Sequence, residues 1–521
     1  MTRRLAATAL GAAGMIAVLT LASRLVGFLR WIVHSWMLHG ESATAGAYAA
    51  ANQIPNVLFE VAAGGALASV VVPLLAAPVA QAMRGDVSRI ASALLSWTLV
   101  ALVPLGALLA LLAAPIASWL PTPASLTGES AQAYTALLTT LLRVFSAQLP
   151  LYGIGIVMTG VLHAHKRFFW PAVAPLLSSL VVIASYLWFG QLAAGHQDAP
   201  AELSGAAVAV LAWGTTAGVA AMSLVQVVPV LRLGVRLRPV LRFPEARRAA
   251  GLAGAGLGAL LAQQVAVLAV VVMAPYGGRS GTLAVFQYAQ SVYLLPYAVF
   301  AVPLATSLYP RLAEAATRGA AEVAQLTQRS TRMVLAVAIA GAAILYADAP
   351  TAPALFGVGP AMGRAIAYLA PGVVGMALIY HGSRVLYAVN RGRAAVTATS
   401  LGWLSVAALS VVLVPALAPG GGDDARTLIA LGLANTLGMA VAFVALMLAL
   451  RHVAATSTIW LTAAAAGAGG ALGALAGRWV VEEILQAGSV TSSLLAAVPG
   501  AVLAAAPALA VAWLVNRRAV P

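Results

Sequence analysis

Arg24, Arg30, Glu60, Arg143, His381 and Arg384 are ionisable residues set inside long apolar stretches of the sequence. Charge in such a stretch is expensive, so it faces a partner, a water-filled cavity or a polar ligand. Arginine suits a phosphate or pyrophosphate there, because its planar fork donates two hydrogen bonds and never loses its charge. Arg24 and Arg30 lie about 120° from a shared face on a regular helix, and a bend at Gly27 would let both line one cavity. The structural alternative has Arg24 capping carbonyls of a neighbouring helix and Arg30 pairing with Glu60. Glu60 reads as counter-ion to an arginine in preference to a proton or cation site. Asn52, Gln263, Gln264, Gln287 and Gln290 add uncharged polarity, each more often interhelical glue than a binding group. His381, one turn from Arg384, reads as hydrogen-bonded structure, and Arg332 as an arginine able to snorkel from its helix end.

The elements that must hold these residues are membrane spans. Of 521 residues, 62% are hydrophobic and 8% charged, too few charges to cover a globular surface. With about 20 apolar residues per crossing, fourteen spans follow, at 9–38, 45–80, 89–119, 130–163, 168–190, 203–231, 248–275, 281–310, 328–347, 361–389, 393–418, 426–450, 457–478 and 492–516. The first has the flavour of a signal peptide, but its apolar run continues past Arg24 and Arg30 and reads as a retained helix. Prolines 55, 150, 296 and 371 mark expected kinks.

Basic residues concentrate in alternate loops, around Arg84, Lys166–Arg167 and 232–248, and the acids gather in the others. That alternation predicts cytoplasmic N- and C-termini. The net charge of +15 is scattered between apolar runs, so it reads as a topology signal and contact with anionic lipid, not nucleic-acid binding. Weak internal similarity links the halves: Tyr48, Pro55 and Pro73 echo Tyr288, Pro296 and Pro310, and VLHAHKRF (161–168) echoes VLYAVNRG (385–392). The expected organisation is an all-α polytopic membrane protein with two six-helix lobes in parallel pseudo-repeat plus two C-terminal helices. Its parts are 1–232, a basic linker at 233–247, 248–452, and 453–521. Helices thirteen and fourteen are rich in Ala and Gly, which serves close packing in the first instance or a smooth groove for a lipid chain.

Enzymatic signatures are missing. The sequence has no Walker loop, no cysteine and no clustered intramembrane acids for a metal, so neither cofactor nor metal is expected. A cation-coupled drug exporter would need a carboxylate-rich cavity, whereas the spans hold one acid and several arginines.

ASRLVGFLR (22–30), ANQIPNVL (51–58), VLHAHKRFFWPAVAPLLSSLVVI (161–183), GTTAGV (214–219), QYAQSVYLLPYAVFAVPLATSLYPRL (287–312) and LGLANTLGMAVAFVALMLALRH (431–452) resemble the MurJ/MviN lipid II flippases of the MOP exporter superfamily, in its actinobacterial branch. The resemblance covers essentially the whole chain. It implies two lobes in a V around a central cationic cavity, a tail groove at helices thirteen and fourteen, and movement of lipid II from inner to outer leaflet of a bacterial plasma membrane. Membrane lipids and cell-wall synthesis or division proteins are the further partners it implies. Arg24 and Arg30 match cavity arginines of that family. The chain departs from the pattern at Gly46, where an acid is common, at Phe59–Glu60, where a basic pair is common, and at Ser291, where an arginine is expected. Those departures leave a less basic cavity, for which Arg143 and Arg384 are the candidate compensation. Substrate-contacting residues are therefore expected among Arg24, Arg30, Asn52, Glu60, Arg143, Gln287, Gln290 and Arg384. The alternatives are export of another lipid-linked oligosaccharide or a drug on the same fold, or a non-transporting scaffold for cell-wall synthesis.

Overall fold

The computed structural model describes residues 2–247, 249, 257–485 and 490–518. Among these there is no strand, and the helices form two compact units, Met1–Leu120 with Thr127–Leu257 and Pro121–Leu126 with Gly258–Pro521. In the first unit run α1 (Thr2–Leu38), α2 (Ala43–Phe59), a π-helical turn (Glu60–Gly64), α3 (Gly65–Ala80), α4 (Arg84–Leu111), α5 (Ala113–Trp119), α6 (Gly128–Phe145), α7 (Gln148–Ala164), α8 (Phe169–Ala193), α9 (Gly205–Leu224) and α10 (Val227–Arg232). The second contains α11 (Leu257–Gly277), α12 (Thr282–Pro296), a second π-turn (Tyr297–Ala301), α13 (Val302–Arg318), α14 (Ala320–Asp348), α15 (Ala352–Phe356), α16 (Ala361–Leu369), α17 (Gly372–Ala388), α18 (Gly392–Leu417), α19 (Asp424–Leu450), α20 (Ser457–Ile484) and α21 (Val490–Arg518).

Among the described residues eleven helices are long and apolar enough to cross a membrane, or up to twelve with the bent pair α16–α17 counted as one. The two remaining predicted spans coincide with α1 and with the interrupted run α2–π–α3. Helix α1 continues without a break through Gly27. A Cβ on Gly27 would meet nothing within 4 Å.

The two units share local devices, and each traces to the sequence echo. Tyr48 and Tyr288 precede a proline, and each proline-bearing helix then opens into a π-turn, after Pro55 in one unit and directly after Pro296 in the other. Proline has no N–H to give the preceding turn, and a π-turn is where a helix absorbs a misfit residue. Span four is interrupted between α6 and α7, span ten between α16 and α17, the latter with a bend of 44°. VLHAHKRF and VLYAVNRG both terminate their helices with a left-handed residue, Lys166 (φ 57°) and Asn390 (φ 59°). Arg167 N–H then reaches back to the Leu162 carbonyl, and Arg391 N–H to that of Leu386, each at 2.8 Å. That reach is the Schellman closure, which satisfies carbonyls the helix would leave unpaired.

The basic linker is an ordered strap. Ser88, Ser92 and Ser96, one turn apart on α4, accept the backbone N–H groups of Arg236 (3.1 Å), Arg238 (3.1 Å) and Val240 (2.9 Å). Two residues of extended chain advance about 6.6 Å and one serine step of helix about 6 Å, so the two ladders stay in register. Ser92 also donates to the Arg236 carbonyl, and the Trp97 indole to that of Leu241. Val235 is buried in the apolar core of α3, α4 and α7, and Leu237 packs against that core. Beyond the strap, Arg89 grips Glu245 with both guanidinium nitrogens, at 2.9 and 3.2 Å. That grip holds the Glu245 carboxyl below the usual carboxylate range.

In α20 and α21 the small residues serve packing on one face and a cavity on another. A Cβ on Gly469, Gly473 or Gly477 would come within 2.9 Å of the carbonyl oxygens of Pro507, Ala504 and Gly500 respectively. This four-residue stripe lets the backbones approach as only glycine permits. Gly467, Gly470, Ala471 and Ala474 instead line a cavity of ≈ 360 Å³ closed by Ile339 and Tyr346 of α14, by Val374, and by Pro371.

Candidate functional site

In the first unit the polar residues gather along α2. Tyr48, Asn52, Asn56 and Glu60 follow one another at four-residue steps, each rotated about 40° from the last, and so form one slowly turning stripe. The stripe is buried at Tyr48 and half-buried from Asn52 onward. Tyr48 is its anchor. Its hydroxyl meets those of Tyr186 (2.7 Å) and Thr215 (3.1 Å), and its ring packs on Phe145 and His34 at centroid distances of 5.6 and 4.9 Å. His34 is one turn from Arg30 on α1, which brings a half-buried guanidinium to the edge of this network. Asn52 offers its side chain with no partner among the described residues, while its carbonyl accepts from Asn56 at 2.9 Å.

Arg24 and Arg30 are not on one face. With α1 unbroken, Arg24 is exposed and Arg30 half-buried, its guanidinium 5.8 Å from the Trp31 ring centroid. The proposed pairing of Arg30 with Glu60 is also not formed. Glu60 opens the π-turn and folds its carboxylate over Gly64, where any side chain would collide with it. No cation among the described residues lies within ion-pair distance of it. The wider π-turn points Glu60 along its own helix, so the counter-ion reading gives way to a carboxylate with open acceptor capacity. Arg143 is exposed in the last turn of α6, where its carbonyl accepts from Ser146 at 2.6 Å.

The second unit holds Gln287, Gln290 and Arg384. The two glutamines are half-buried and three apart on α12, hence on one face with Ser291 at its margin. Arg384 lies on α17 with its guanidinium carbon 3.4 Å from the Tyr380 ring centroid, and it donates to the Tyr380 carbonyl at 3.0 Å. Tyr380 in turn meets the ring of Tyr297, the first residue of the second π-turn, edge-on at 5.7 Å. Phe59 and Tyr152 make the corresponding contact beside the first π-turn, at 5.1 Å. Arg143 and Arg384 occupy corresponding spans but not corresponding positions, one before its helix break and the other well after.

Five residues gain a role that spacing alone left unread. Tyr380 had a signal, its four-residue step to Arg384. The Tyr48–Tyr186–Thr215 network had none, because it joins three helices distant in sequence. Arg332 does not snorkel: it is 6% exposed and donates to Thr462 (3.1 Å) and to the Val515 carbonyl (3.3 Å), pinning α20 and α21 to α14. His381 is fully buried against Ser330 at 3.1 Å, a structural histidine as expected.

The family model described as "Lipid II flippase MurJ" matches residues 37–499. A probable lipid II flippase MurJ of Rhizobium meliloti (strain 1021) is 28% identical over 349 residues, 65% of this chain and 61% of that one. A lipid II flippase MurJ of Burkholderia cenocepacia is 28% identical over 382 residues, 69% of each. The chain thus spans somewhat under two thirds of the Rhizobium relative. Among solved structures, "Lipid II flippase MurJ, inward closed conformation" superposes with a TM-score of 0.73 at 16% identity, over 97% of this chain and 100% of that one. An inward-facing MATE family transporter of the MOP superfamily gives 0.65 at 15% identity, over 84% and 98%. The fold is that of this superfamily.

Proposed function

The chain belongs to the lipid II flippase MurJ family, and on that premise we propose that it carries lipid II, a polyprenyl-pyrophosphate-linked disaccharide-pentapeptide, from the inner to the outer leaflet of a bacterial plasma membrane. The observation that carries this reading is the family match across 37–499. The physical need is a polar route, since an anionic headgroup does not cross about 30 Å of hydrocarbon unaided. Arg30, half-buried beside the α2 stripe, takes the pyrophosphate, and Arg24 adds positive charge at a second position on α1. Asn52, Gln287 and Gln290 meet sugar and peptide groups, and Glu60, lacking an ion pair, accepts hydrogen bonds from hydroxyls or amines of the headgroup. Arg143 and Arg384 add positive charge in place of the cations absent at Phe59 and Ser291. The polyprenyl tail stays in lipid, with part of it in the apolar cavity between α14 and α20. Rocking of the two units exposes the route to alternate sides. Both termini are cytoplasmic in this reading, and the protein carries out transport without covalent chemistry.

Depletion in cells, followed by assay of the lipid-linked precursor that builds up on the cytoplasmic leaflet, tests the substrate. Lipid II accumulates if the reading holds; accumulation of a different lipid-linked oligosaccharide transfers the assignment to that lipid. Arg24→Ala with Arg30→Ala separates a flippase from a scaffold for wall synthesis, because a scaffold tolerates both.

A further inference from the structure

The strap that closes the first unit leaves a cavity of ≈ 920 Å³ at the start of α4, lined by Arg84, Ser88, Ser92, Arg236 and Arg238 among others. Arg236 and Arg238 alternate with the inward-facing Val235 and Leu237, so period-two geometry sends both guanidinium groups to the side away from the core. Among the described residues Arg84, Arg236 and Arg238 have no carboxylate partner, whereas neighbouring Arg89 is engaged by Asp86 and Glu245. The serine ladder fixes the backbone beneath two of the three charges, so the backbone part of the cost of ordering them is met before any ligand arrives. Leu231, which lines the cavity, is exposed (49%), and further along the strap, next to the lining residue Val240, so are Leu241 (63%) and its partner Trp97 (50%). The Trp97 ring is held by its bond to the Leu241 carbonyl, next to Ser96, the last rung of the serine ladder, and an indole so placed suits the interfacial layer.

We propose that this cavity is a binding site for the headgroup of an anionic phospholipid, its phosphate held by Arg84, Arg236 and Arg238 and its acyl chains lying on Leu231, Leu241 and Trp97. Guanidinium groups supply the paired donors a phosphate accepts, and the apolar rim distinguishes a lipid from a soluble phosphate. None of the arginines assigned to transport lines this cavity. It rests on the proposed orientation only for which leaflet supplies the lipid.

Native mass spectrometry of the purified full-length protein in detergent tests the assignment without reference to leaflet or transport. Titration compares dioleoyl-phosphatidylglycerol with dioleoyl-phosphatidylcholine, with inorganic phosphate added as competitor. Each guanidinium is worth about fivefold in affinity for anionic lipid, so Arg84→Gln, Arg236→Gln and Arg238→Gln together abolish the preference for phosphatidylglycerol. Ser88→Ala with Ser92→Ala and Ser96→Ala keeps every charge but frees the strap, and it weakens the preference by a smaller factor. Millimolar phosphate leaves lipid binding unchanged. Equal binding of the two lipids, a preference that survives the triple glutamine variant, or displacement by inorganic phosphate overturns the proposal. A melting profile like wild type in the triple glutamine variant shows that any loss is one of binding.

Discussion

Arg30 and Arg332 are both arginines within apolar segments, yet their surroundings assign them opposite tasks. Arg332 is enclosed and spends its donors on Thr462 and the Val515 carbonyl, which makes it a clamp between helices. Arg30 is half-buried beside an aromatic network, its guanidinium 5.8 Å from the Trp31 ring centroid. For a group that holds a phosphate by charge-assisted hydrogen bonds, each worth about 1.5–3 kcal/mol, Arg30→Ala is expected to slow lipid II flipping roughly 10- to 100-fold. Arg30→Lys should recover part of this, because it keeps the charge and loses the fork. Appearance of fluorescent lipid II at the outer face of proteoliposomes is the measurement, and equal rates for wild type and Arg30→Ala would remove this arginine from the transport path.

At the scale of elements, the glycines of α20 separate two functions that composition merges. A side chain at Gly473 would run into the Ala504 carbonyl at 2.6 Å, and backbone cannot yield as a side-chain tip can. Gly473→Val is therefore expected to destabilise by about 1–3 kcal/mol, the usual range for overpacking, seen as a lower melting temperature in detergent. Gly467 has nothing within 4 Å of its Cβ position, so Gly467→Val should melt like wild type while filling the tail cavity and slowing transport of long-chain substrate. The strap gives a pH dependence with a definite sign. Because Arg89 lowers the Glu245 carboxyl, this pairing stabilises the folded strap above the unfolded Glu value of about 4.3. It is lost as pH falls through the lowered folded value. The effect is at most about 1 kcal/mol, given partial exposure. Protection of the Arg236, Arg238 and Val240 amides against hydrogen exchange, relative to the intrinsic rate at each pH, should fall below about pH 4, more than that of α4 itself, and Glu245→Gln should remove that difference.

At the scale of the molecule, the proposed function moves an anion outward across a membrane that is negative inside. That field contributes about 2.3 kcal/mol per elementary charge per 100 mV, so collapse of the potential should slow outward flipping, by up to tenfold or more per charge carried across in the slow step. A rate indifferent to the potential would assign the slow step to movement of an uncharged state. The sequence alone determined the helical class and the apolar segments that can cross, because hydrocarbon imposes its length and polarity on every crossing segment independently. One local echo was legible as well: VLHAHKRF and VLYAVNRG each code a helix end within a few residues, and both close through a left-handed residue. Contacts between segments were not legible in that way. Whether Glu60 meets Arg30, whether Arg332 reaches solvent, and which face of α20 packs or opens depend on helix rotation and on a π-turn that shifts the register by a residue. Tertiary packing alone decided them, since a side chain's partner is chosen by the helices around it, and those lie far away along the chain.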